Sequence, residues 1–397
     1  MFNLKKILII ILFIAIVLGI GYAIYAVFFK SAETPTPPAG TPTEETTAPP
    51  AGGLPSAIEM TPGKKPEIPV ANGGAIEIPA IESDPSLGAT MSDQDEINYY
   101  NTLDGKFYKI DENGNITTLS EKVFYNVINV VWSPDATQAI LEYPDGSNIL
   151  YNFDTSKQTT LPQHWQEFDF SADGTKIAAK SMGMDADNRW LIIADPDGTN
   201  SQIIEHLGSN AGKVQIKWSP SGQIVAFAKN PENLGLMSQE ILFLGLKGEN
   251  FKSITAPGLN FEGAWSPDGS KILYSVASRA SNYEPMLWII DADLDNMGAN
   301  RRSLGINSWA KKCIFADSNT LYCAIPTVLP RGAGLQPDLA DNTNDSIWKI
   351  NLTSGQRTVV ATPSTSMSIF SLSLSRDKNS LYFVDRNTNT VRKMRLK

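Results

Sequence analysis

The sequence has little of what most enzymes and metal sites depend on. Of its 397 residues only two are histidine, His164 and His206, and two are cysteine, Cys313 and Cys323. Zinc sites built mainly from imidazole need more histidine than this. The chain also lacks a P-loop, a dinucleotide-binding glycine motif and a nucleophile elbow. We therefore predict no catalytic residue, no metal site and no cofactor.

Positive charge is not in excess either. Lysine and arginine number 33 against 42 aspartate and glutamate residues, a formal net charge of -9. Proteins that bind nucleic acid concentrate basic residues on one face. DNA and RNA are therefore excluded as expected partners.

Charge is absent altogether from 23 consecutive residues, 7–29, which are mostly apolar. A helix of this length rises about 1.5 Å per residue and crosses a hydrocarbon core of about 30 Å. Lys5 and Lys6 precede the run and only Lys30 follows closely, so the positive-inside rule keeps the N-terminus cytoplasmic. We expect 1–30 to form a cytoplasmic N-terminus and membrane anchor that places the rest outside the cytoplasm, periplasmic or at the cell surface. The alternative is a cleaved signal peptide.

Residues 31–74 are rich in proline, threonine and glutamate. They hold ten of the 25 prolines. Such a segment has too little apolar surface to offset its ordering entropy and favours extended conformers. We interpret it as a disordered stalk between the anchor and a folded domain, 75–397.

A repeated frame dominates that domain, and "AWSPDGSKILYS" at 264–275 is its clearest copy. An apolar or aromatic anchor residue ends a strand, Ser-Pro-Asp-Gly turns the chain, and a second strand follows. The seven anchors are Met91, Trp132, Phe170, Trp218, Trp265, Phe315 and Leu374. They recur at intervals of 38 to 59 residues. This spacing suits one four-stranded propeller blade each.

The pattern predicts an all-β fold, a β-propeller of seven four-stranded blades. Six blades with a different closure is the alternative. The anchors should pack between neighbouring blades. The last unit is one outer strand short, so we expect the strand-like segment 75–81 to pair with 390–397 and close the ring.

The WSPDG-type hairpins, clearest at Trp132, Trp218 and Trp265, resemble the TolB-like β-propeller family over about residues 85–397. The resemblance implies a propeller that binds proteins or peptides in the cell envelope, or that gates an attached peptidase. This chain differs from TolB itself, a soluble periplasmic protein with an additional N-terminal domain, by its apolar segment and stalk. TolB's particular partners are therefore not carried over.

The two cysteines flank the fifth hairpin. If Phe315 lies opposite Leu321, then Cys313 lies opposite Cys323. Opposed residues in an antiparallel pair are close enough for a disulfide, which an oxidising exterior would allow to form. We predict this disulfide. The alternative is two small apolar residues within a blade.

Loop lengths predict that the long loops lie together on one face of the propeller. Connections between second and third strands and between blades are long, whereas the other turns are short, and by strand parity the long loops share one face. Aromatic and arginine side chains in these loops are of the kind enriched at interface hot spots. The candidate binding residues are His164, Trp165, Arg189, Arg279, Tyr283, Trp309 and Arg331.

These features favour a non-catalytic module that binds a protein, a peptide or an envelope polymer through its long loops, with a protein or peptide of the cell envelope as the expected partner. Two other functions remain open. One is a calcium-dependent propeller hydrolase of the lactonase or esterase kind, which would use carboxylates rather than histidine. The other is a structural scaffold for assembly.

Overall fold

The computed structural model describes residues 18–19, 67–230, 237–249 and 251–396. The chain divides into two units, Met1–Gly63 and Lys64–Lys397, and the propeller belongs to the second. Apart from Leu18 and Gly19, the predicted anchor and the stalk up to residue 66 lie outside the described residues. No helix within the described ranges is long and apolar enough to cross a membrane.

The propeller consists of seven sheets, and the successive strands of each blade pair antiparallel, with the blade's first strand innermost. Blade 1 contains β2 (Ser86–Met91), β3 (Ile97–Asn101), β4 (Phe107–Ile110) and β5 (Ile116–Ser120). Blade 2 contains β6 (Asn129–Trp132), β7 (Gln138–Glu142), β8 (Asn148–Asn152) and β9 (Lys157–Leu161). Blade 3 contains β10 (Trp165–Phe170), β11 (Ile177–Met182), β12 (Arg189–Ala194) and β13 (Gln202–His206). Blade 4 contains β14 (Val214–Ile216), β15 (Ile224–Lys229), β16 (Gln239–Gly245) and β17 (Ile254–Ala256).

The remaining blades follow the same order. Blade 5 contains β18 (Leu259–Trp265), β19 (Lys271–Ala277), β20 (Pro285–Asp291) and β21 (Arg302–Ser303). Blade 6 contains β22 (Cys313–Asp317), β23 (Thr320–Pro326), β24 (Asp345–Asn351) and β25 (Arg357–Pro363), with β1 (Ala75–Ile76) at its edge. Blade 7 contains β26 (Ile369–Leu374), β27 (Ser380–Asp385) and β28 (Thr390–Arg395). Short 3₁₀ helices occupy Ala186–Asn188, Gly208–Lys213, Arg279–Ser281, Leu294–Asn296, Ala310–Lys312 and Pro337–Ala340. The prediction of seven blades is confirmed, and the six-blade alternative is wrong.

A buried apolar cluster fills each of the seven junctions between neighbouring blades. Every anchor residue of the repeat lies in one of these clusters, as predicted. Trp132, for example, meets Phe107 of blade 1 edge-on at 5.5 Å and stacks on Phe153 of its own blade at 5.1 Å. The indole N–H of Trp265 donates to the Lys217 carbonyl of blade 4 at 3.1 Å. The anchors therefore join the blades by apolar packing and by hydrogen bonds from their polar edge.

The repeated turns share one set of hydrogen bonds. In four blades a serine hydroxyl donates to the aspartate two residues later at 2.6 Å and accepts an N–H from the residue five positions on. The serines are Ser133, Ser171, Ser266 and Ser375. The hydrogen bond from Ser171 holds the pKa of Asp173 below its ordinary value. Each turn thus satisfies its own polar groups, which explains why the motif recurs.

The segment before blade 1 completes the ring. Val70 and Ala80 form isolated bridges with Arg395 and Arg392 of β28, and the Ile81 N–H donates to the Val391 carbonyl at 2.9 Å. Between these contacts the chain leaves β28, and β1 pairs in parallel with β25 of blade 6. The predicted segment 75–81 therefore divides its pairing between blades 6 and 7, because two residues of β1 extend the edge of one sheet before the chain crosses to the next.

The predicted disulfide is confirmed. Cys313 pairs with Cys323 across β22 and β23, in the same register as Phe315 with Leu321, and the two sulfurs are bonded. The bond joins the innermost strand of blade 6 to its neighbour. It therefore anchors the part of the ring from which the longest loop departs.

Candidate functional site

The long loops share one end of the propeller, which we call the loop face. It carries the loops between second and third strands (102–106, 143–147, 183–188, 278–284, 327–344 and 386–389, with residues 230 and 237–238 in blade 4) and those between blades (121–128, 162–164, 207–213, 257–258, 304–312 and 364–368). The two classes bond to each other: the Phe124 N–H donates to the Gly105 carbonyl at 2.7 Å, and Asn344 Oδ1 accepts from the Met367 N–H at 3.2 Å. The Ser-x-Asp turns lie at the opposite end.

Exposed large hydrophobic side chains concentrate on the loop face. Tyr125 is 68% exposed and Met184 is 99% exposed. Among the described residues of the propeller, three such side chains lie elsewhere, Val70, Ile203 and Leu294. Those on the loop face are Leu103, Val123, Tyr125, Ile128, Met184, Met237, Val328, Leu335, Leu339 and Phe370. Such a concentration of exposed apolar surface marks an interaction site.

The longest loop, 327–344, extends over the neighbouring blades. Its Gly332 and Gly334 N–H groups donate to the carbonyls of Asn282 and Tyr283 on the blade 5 loop, at 3.1 and 2.9 Å. A Cβ on Gly334 would approach the Pro285 nitrogen to 2.8 Å, so only glycine allows this contact. The loop is thus fixed in place and brings Arg331 to the same part of the face as Arg279 and Tyr283.

Trp165 and Trp309 are buried, at 5% and 6% exposure. Trp165 belongs to the apolar cluster between blades 2 and 3. Trp309 packs beneath the long loop against Ala333, Ala340 and Leu329. Their interpretation as exposed contact residues is therefore corrected: Trp165 begins β10 and packs between blades 2 and 3, the long loop covers Trp309, and their burial assigns both to packing.

His164 and Arg189 lie in another sector of the loop face, at blade 3. His164 is exposed, and its carbonyl accepts the Met182 N–H at 2.7 Å. Arg189 is half-buried and donates to the carbonyls of Gly183 and Met184 at 3.2 and 3.3 Å. Arg189 therefore orders the loop that exposes Met184. The seven candidates do not form one cluster, and Arg279, Tyr283 and Arg331 come closest to doing so.

Charged side chains near the innermost strands form ion pairs within and between blades. Lys180 pairs with Glu167 of the same blade 3 at 2.5 Å, and Lys311 of blade 6 lies 4.0 Å from Glu262 of blade 5. Burial raises the pKa of the Glu262 carboxyl and lowers that of the Lys229 ammonium. The inner wall near the loop face is thus polar and carries both signs of charge.

A small cleft opens on the loop face between blades 6 and 7. Its interior measures about 20 Å³, room for about one water molecule. Its walls are Trp309, Lys311, Lys312, Pro337, Ala340, Asp341, Ser368, Ile369, Phe370 and Arg386. The Arg386 guanidinium lies 5.8 Å from the Phe370 ring centroid and 3.0 Å from an Asp341 oxygen. The cleft therefore combines an apolar floor with a rim of paired charges.

A buried ion pair supports this cleft from below. Lys312 and Asp345 are joined at 2.7 Å, with side chains 8% and 0% exposed. Asp345 also accepts the Ile369 N–H of blade 7 at 2.6 Å. Burial lowers the pKa of Lys312 and raises that of Asp345, while the charge of each partner opposes the shift. The pair thus links blades 6 and 7 where the cleft begins.

Phe370, Arg386 and Asp341 were not among the site residues predicted from the sequence. Phe370 occupies the second position of an ordinary apolar strand, "IFSLSL", and is nevertheless 48% exposed. Arg386 and Asp341 lie 45 residues apart and meet only in the fold. The one available signal was the length of the loop that carries Asp341.

No group of three or more histidine, cysteine, aspartate or glutamate side chains suited to a metal ion occurs in the described part of the chain. No protein-family model and no curated protein matches the sequence. Similar folds are found among solved structures.

An oligogalacturonate lyase in complex with manganese aligns with a TM-score of 0.54 and 14% identity, over 77% of this chain and 87% of the other. The β-propeller domain of Cps50 (Swd1) from Myceliophteria thermophila aligns with a TM-score of 0.53 and 11% identity, over 80% and 98%. A chain of the mitotic checkpoint complex aligns with a TM-score of 0.53 and 15% identity, over 90% and 98%.

The chain is a seven-bladed β-propeller. At these identities the likeness establishes the fold alone, and the structures that share it differ widely in what they do. The finer resemblance to the TolB-like family remains a prediction.

Proposed function

We propose that this protein is a membrane-anchored β-propeller that works outside the cytoplasm and binds a protein or peptide partner through its loop face, without chemistry of its own. The observation that carries the proposal is the one-sided distribution of exposed hydrophobic side chains. Tyr125, Met184 and Leu339 expose half or more of their surface on this face. Burying such side chains against a partner contributes about 25 cal/mol per Å² of apolar surface.

The same observation favours a polypeptide over a saccharide polymer. Sugars offer hydroxyl groups and small apolar patches, whereas polypeptides offer large apolar side chains that can cover leucine, valine and methionine. Arginine and aromatic residues beside these positions, among them Arg279, Arg331 and Tyr283, are the types that dominate protein interfaces.

Two features support the compartment. The apolar run at 7–29 fits a membrane anchor. The bond between Cys313 and Cys323 is of a kind that persists outside the reducing cytoplasm. We place the propeller in the periplasm or at the cell surface.

The test is photo-crosslinking in cells at two matched leucines. Leu339 lies on the loop face and is 50% exposed, whereas Leu294 lies on the opposite face and is 44% exposed. With p-benzoylphenylalanine at each position in turn, we expect a discrete crosslinked polypeptide from Leu339 and none from Leu294. Crosslinks of equal yield from both positions, or from Leu294 alone, would refute the assignment of the face.

The partner found in this way provides the second measurement. Tyr125→Ser and Leu339→Ser should each weaken its binding by about five- to a hundredfold if they are interface anchors. Their free energies of unfolding should stay within about 0.5 kcal/mol of wild type, since both side chains are exposed. Leu294→Ser should change neither quantity.

A further inference from the structure

A cavity opens between blades 7 and 1, at the end of the propeller opposite the loop face. It measures about 280 Å³, close to the lower end of the range of small-ligand sites, about 300–1,000 Å³. Strands β27 and β28 and the Ser375 turn of blade 7 form one wall, and the turns of blade 1 that hold Asp95 and Glu112 form the other. We call it the closure cavity, because it lies where the first and last blades meet.

Two cations line the closure cavity, and neither has a carboxylate partner. Lys393 is 2% exposed, and its ammonium donates to the Glu112 carbonyl at 2.5 Å and lies 4.8 Å from the centroid of the Tyr382 ring. Arg395 is exposed at the end of β28. In the part of the chain that the structure describes, no carboxylate oxygen lies within ion-pair distance of either cation.

A buried ammonium without a counter-charge is unusual, because nothing compensates its loss of hydration. The two other lysines that are buried in the described propeller, Lys180 and Lys312, pair with carboxylates at 2.5 and 2.7 Å. Burial and the nearby Arg395 lower the pKa of Lys393, which is the direction expected of an ammonium that lacks a partner. The closure cavity therefore offers two unpaired positive charges to an anionic group.

Three carboxylates line the same cavity, and they too lack a cationic partner. Asp95 accepts the backbone N–H of Arg376 at 2.7 Å, and Asp377 accepts the Ser375 hydroxyl at 2.6 Å. Glu112 is exposed. Among the described residues, no lysine or arginine nitrogen lies within ion-pair distance of these three carboxylates. The hydrogen bonds come from neutral donors, so the negative charges remain uncompensated.

An occupant that satisfies both sets of charges must itself carry both signs. A simple anion such as phosphate would leave the three carboxylates unpaired, and a diamine would leave Lys393 and Arg395 unpaired. Because the lining holds three negative and two positive charges, a ligand with one carboxylate and two ammonium groups complements it. A free basic amino acid carries this set of charges in a molecule small enough for the cavity.

We propose that the closure cavity binds a free basic amino acid such as lysine. Its α-carboxylate lies against Lys393 and Arg395, and its two ammonium groups lie against the three carboxylates. The cavity is at the opposite end from the loop face, so this site goes beyond the proposed function and is independent of it. A ligand held here contacts both the first and the last blade, and its binding therefore stabilises the closed ring.

The test uses lysine and three analogues that each lack one of its charged groups. Cadaverine lacks the α-carboxylate, norleucine lacks the side-chain ammonium, and Nα-acetyl-lysine lacks the α-ammonium. The purified full-length chain is titrated with each compound by isothermal calorimetry. We expect saturable binding of lysine, and binding of each analogue at least about tenfold weaker, because each loses the charge-assisted hydrogen bonds of one group.

Variants of the chain locate the site. Lys393→Met keeps the aliphatic stem and should weaken lysine binding at least about tenfold. Glu112→Gln is a second, independent variant at an exposed position, where the fold does not depend on the side chain, and it should also weaken lysine binding. Lys349→Met removes an exposed lysine of β24, outside the cavity, and should have no effect.

Failure of lysine to bind overturns the proposal, as does binding of any one analogue as tight as that of lysine. The proposal also falls if Lys349→Met weakens lysine binding as much as Lys393→Met and Glu112→Gln do. Inorganic phosphate is the last probe: if it binds saturably and lysine does not, the cavity is a site for a simple anion and the assignment to an amino acid is wrong.

Discussion

Asp345→Asn should destabilise the propeller strongly and in a pH-dependent way. Asparagine has nearly the shape of aspartate and can still accept the Ile369 N–H that Asp345 Oδ2 accepts at 2.6 Å. It cannot compensate the Lys312 ammonium, whose side chain is 8% exposed. Removing one partner of a buried pair in this way costs about 3–5 kcal/mol.

The loss of stability has an upper limit, because Lys312 can release its proton. At pH 7, about 3.4 units below the ordinary lysine pKa of about 10.4, deprotonating Lys312 costs about 4.6 kcal/mol, at about 1.36 kcal/mol per unit. Burial already lowers this pKa in the native protein. In the variant the unfolded chain keeps the proton and the folded chain releases it, so stability rises with pH by up to about 1.4 kcal/mol per unit. The deficit should therefore shrink to about 2 kcal/mol by pH 9.

Urea unfolding of wild type and variant at pH 7, 8 and 9 checks both the size and the slope. The matched control is Asp93→Asn, which breaks the exposed pair with Arg376, whose side chains are 56% and 44% exposed for arginine and aspartate. It should cost no more than about 1 kcal/mol, with no added pH dependence. A loss below about 1 kcal/mol for Asp345→Asn, or one that is constant from pH 7 to 9, would contradict the assigned role of this pair.

Two further predictions follow from the fold. Trp309→Ala should lower the free energy of unfolding by about 3–5 kcal/mol, because it empties a buried site beneath the long loop. Tyr125→Ala changes a side chain that is 68% exposed, so its free energy of unfolding should stay within about 0.5 kcal/mol of wild type. Thermal unfolding measures both variants, and equal effects would contradict the role assigned to burial. Burial alone would raise the pKa of Asp268, but hydrogen bonds from Ser266, Ser318 and Ser270 outweigh this effect and hold the pKa well below its ordinary value. The ionised carboxylate therefore stabilises the native state above about pH 4, and this stabilisation is lost as the pH falls further. Asp268→Asn should therefore be less stable than wild type at pH 7, and the deficit should shrink steadily as the pH falls from about 4 to 2, as followed by circular dichroism. A deficit that stays constant over this range would show that the charge is not involved.

The blades were predictable because their information is local. An anchor such as Trp132 or Trp265, a Ser-x-Asp turn and a following strand recur within a dozen residues, so the blade count and the disulfide register both follow from the sequence. Strand parity places the long loops at one end without any knowledge of their conformation. Each of these features depends on residues close together in the chain.

The remaining features depend on residues far apart. Ala75 and Ile76 pair with blade 6, although the predicted pairing lay in blade 7. The edge of β25 offers backbone groups for this pairing, and no sequence pattern indicates that edge. The site was harder still to predict. Trp309 is a loop residue, yet it is buried because the long loop covers it. Phe370 is a residue of an apolar strand, yet it is about half exposed.

The way in which the ring is sealed has a consequence for biosynthesis. Ser86 donates to the carbonyl of Asn389 across a separation of 303 residues, so the junction of the first and last blades waits until nearly the whole domain has emerged from the ribosome. Contacts of such separation slow folding and leave unpaired sheet edges open in the meantime. Chaperone assistance should therefore matter most during this interval. A substitution that disrupts β28 should destabilise every blade.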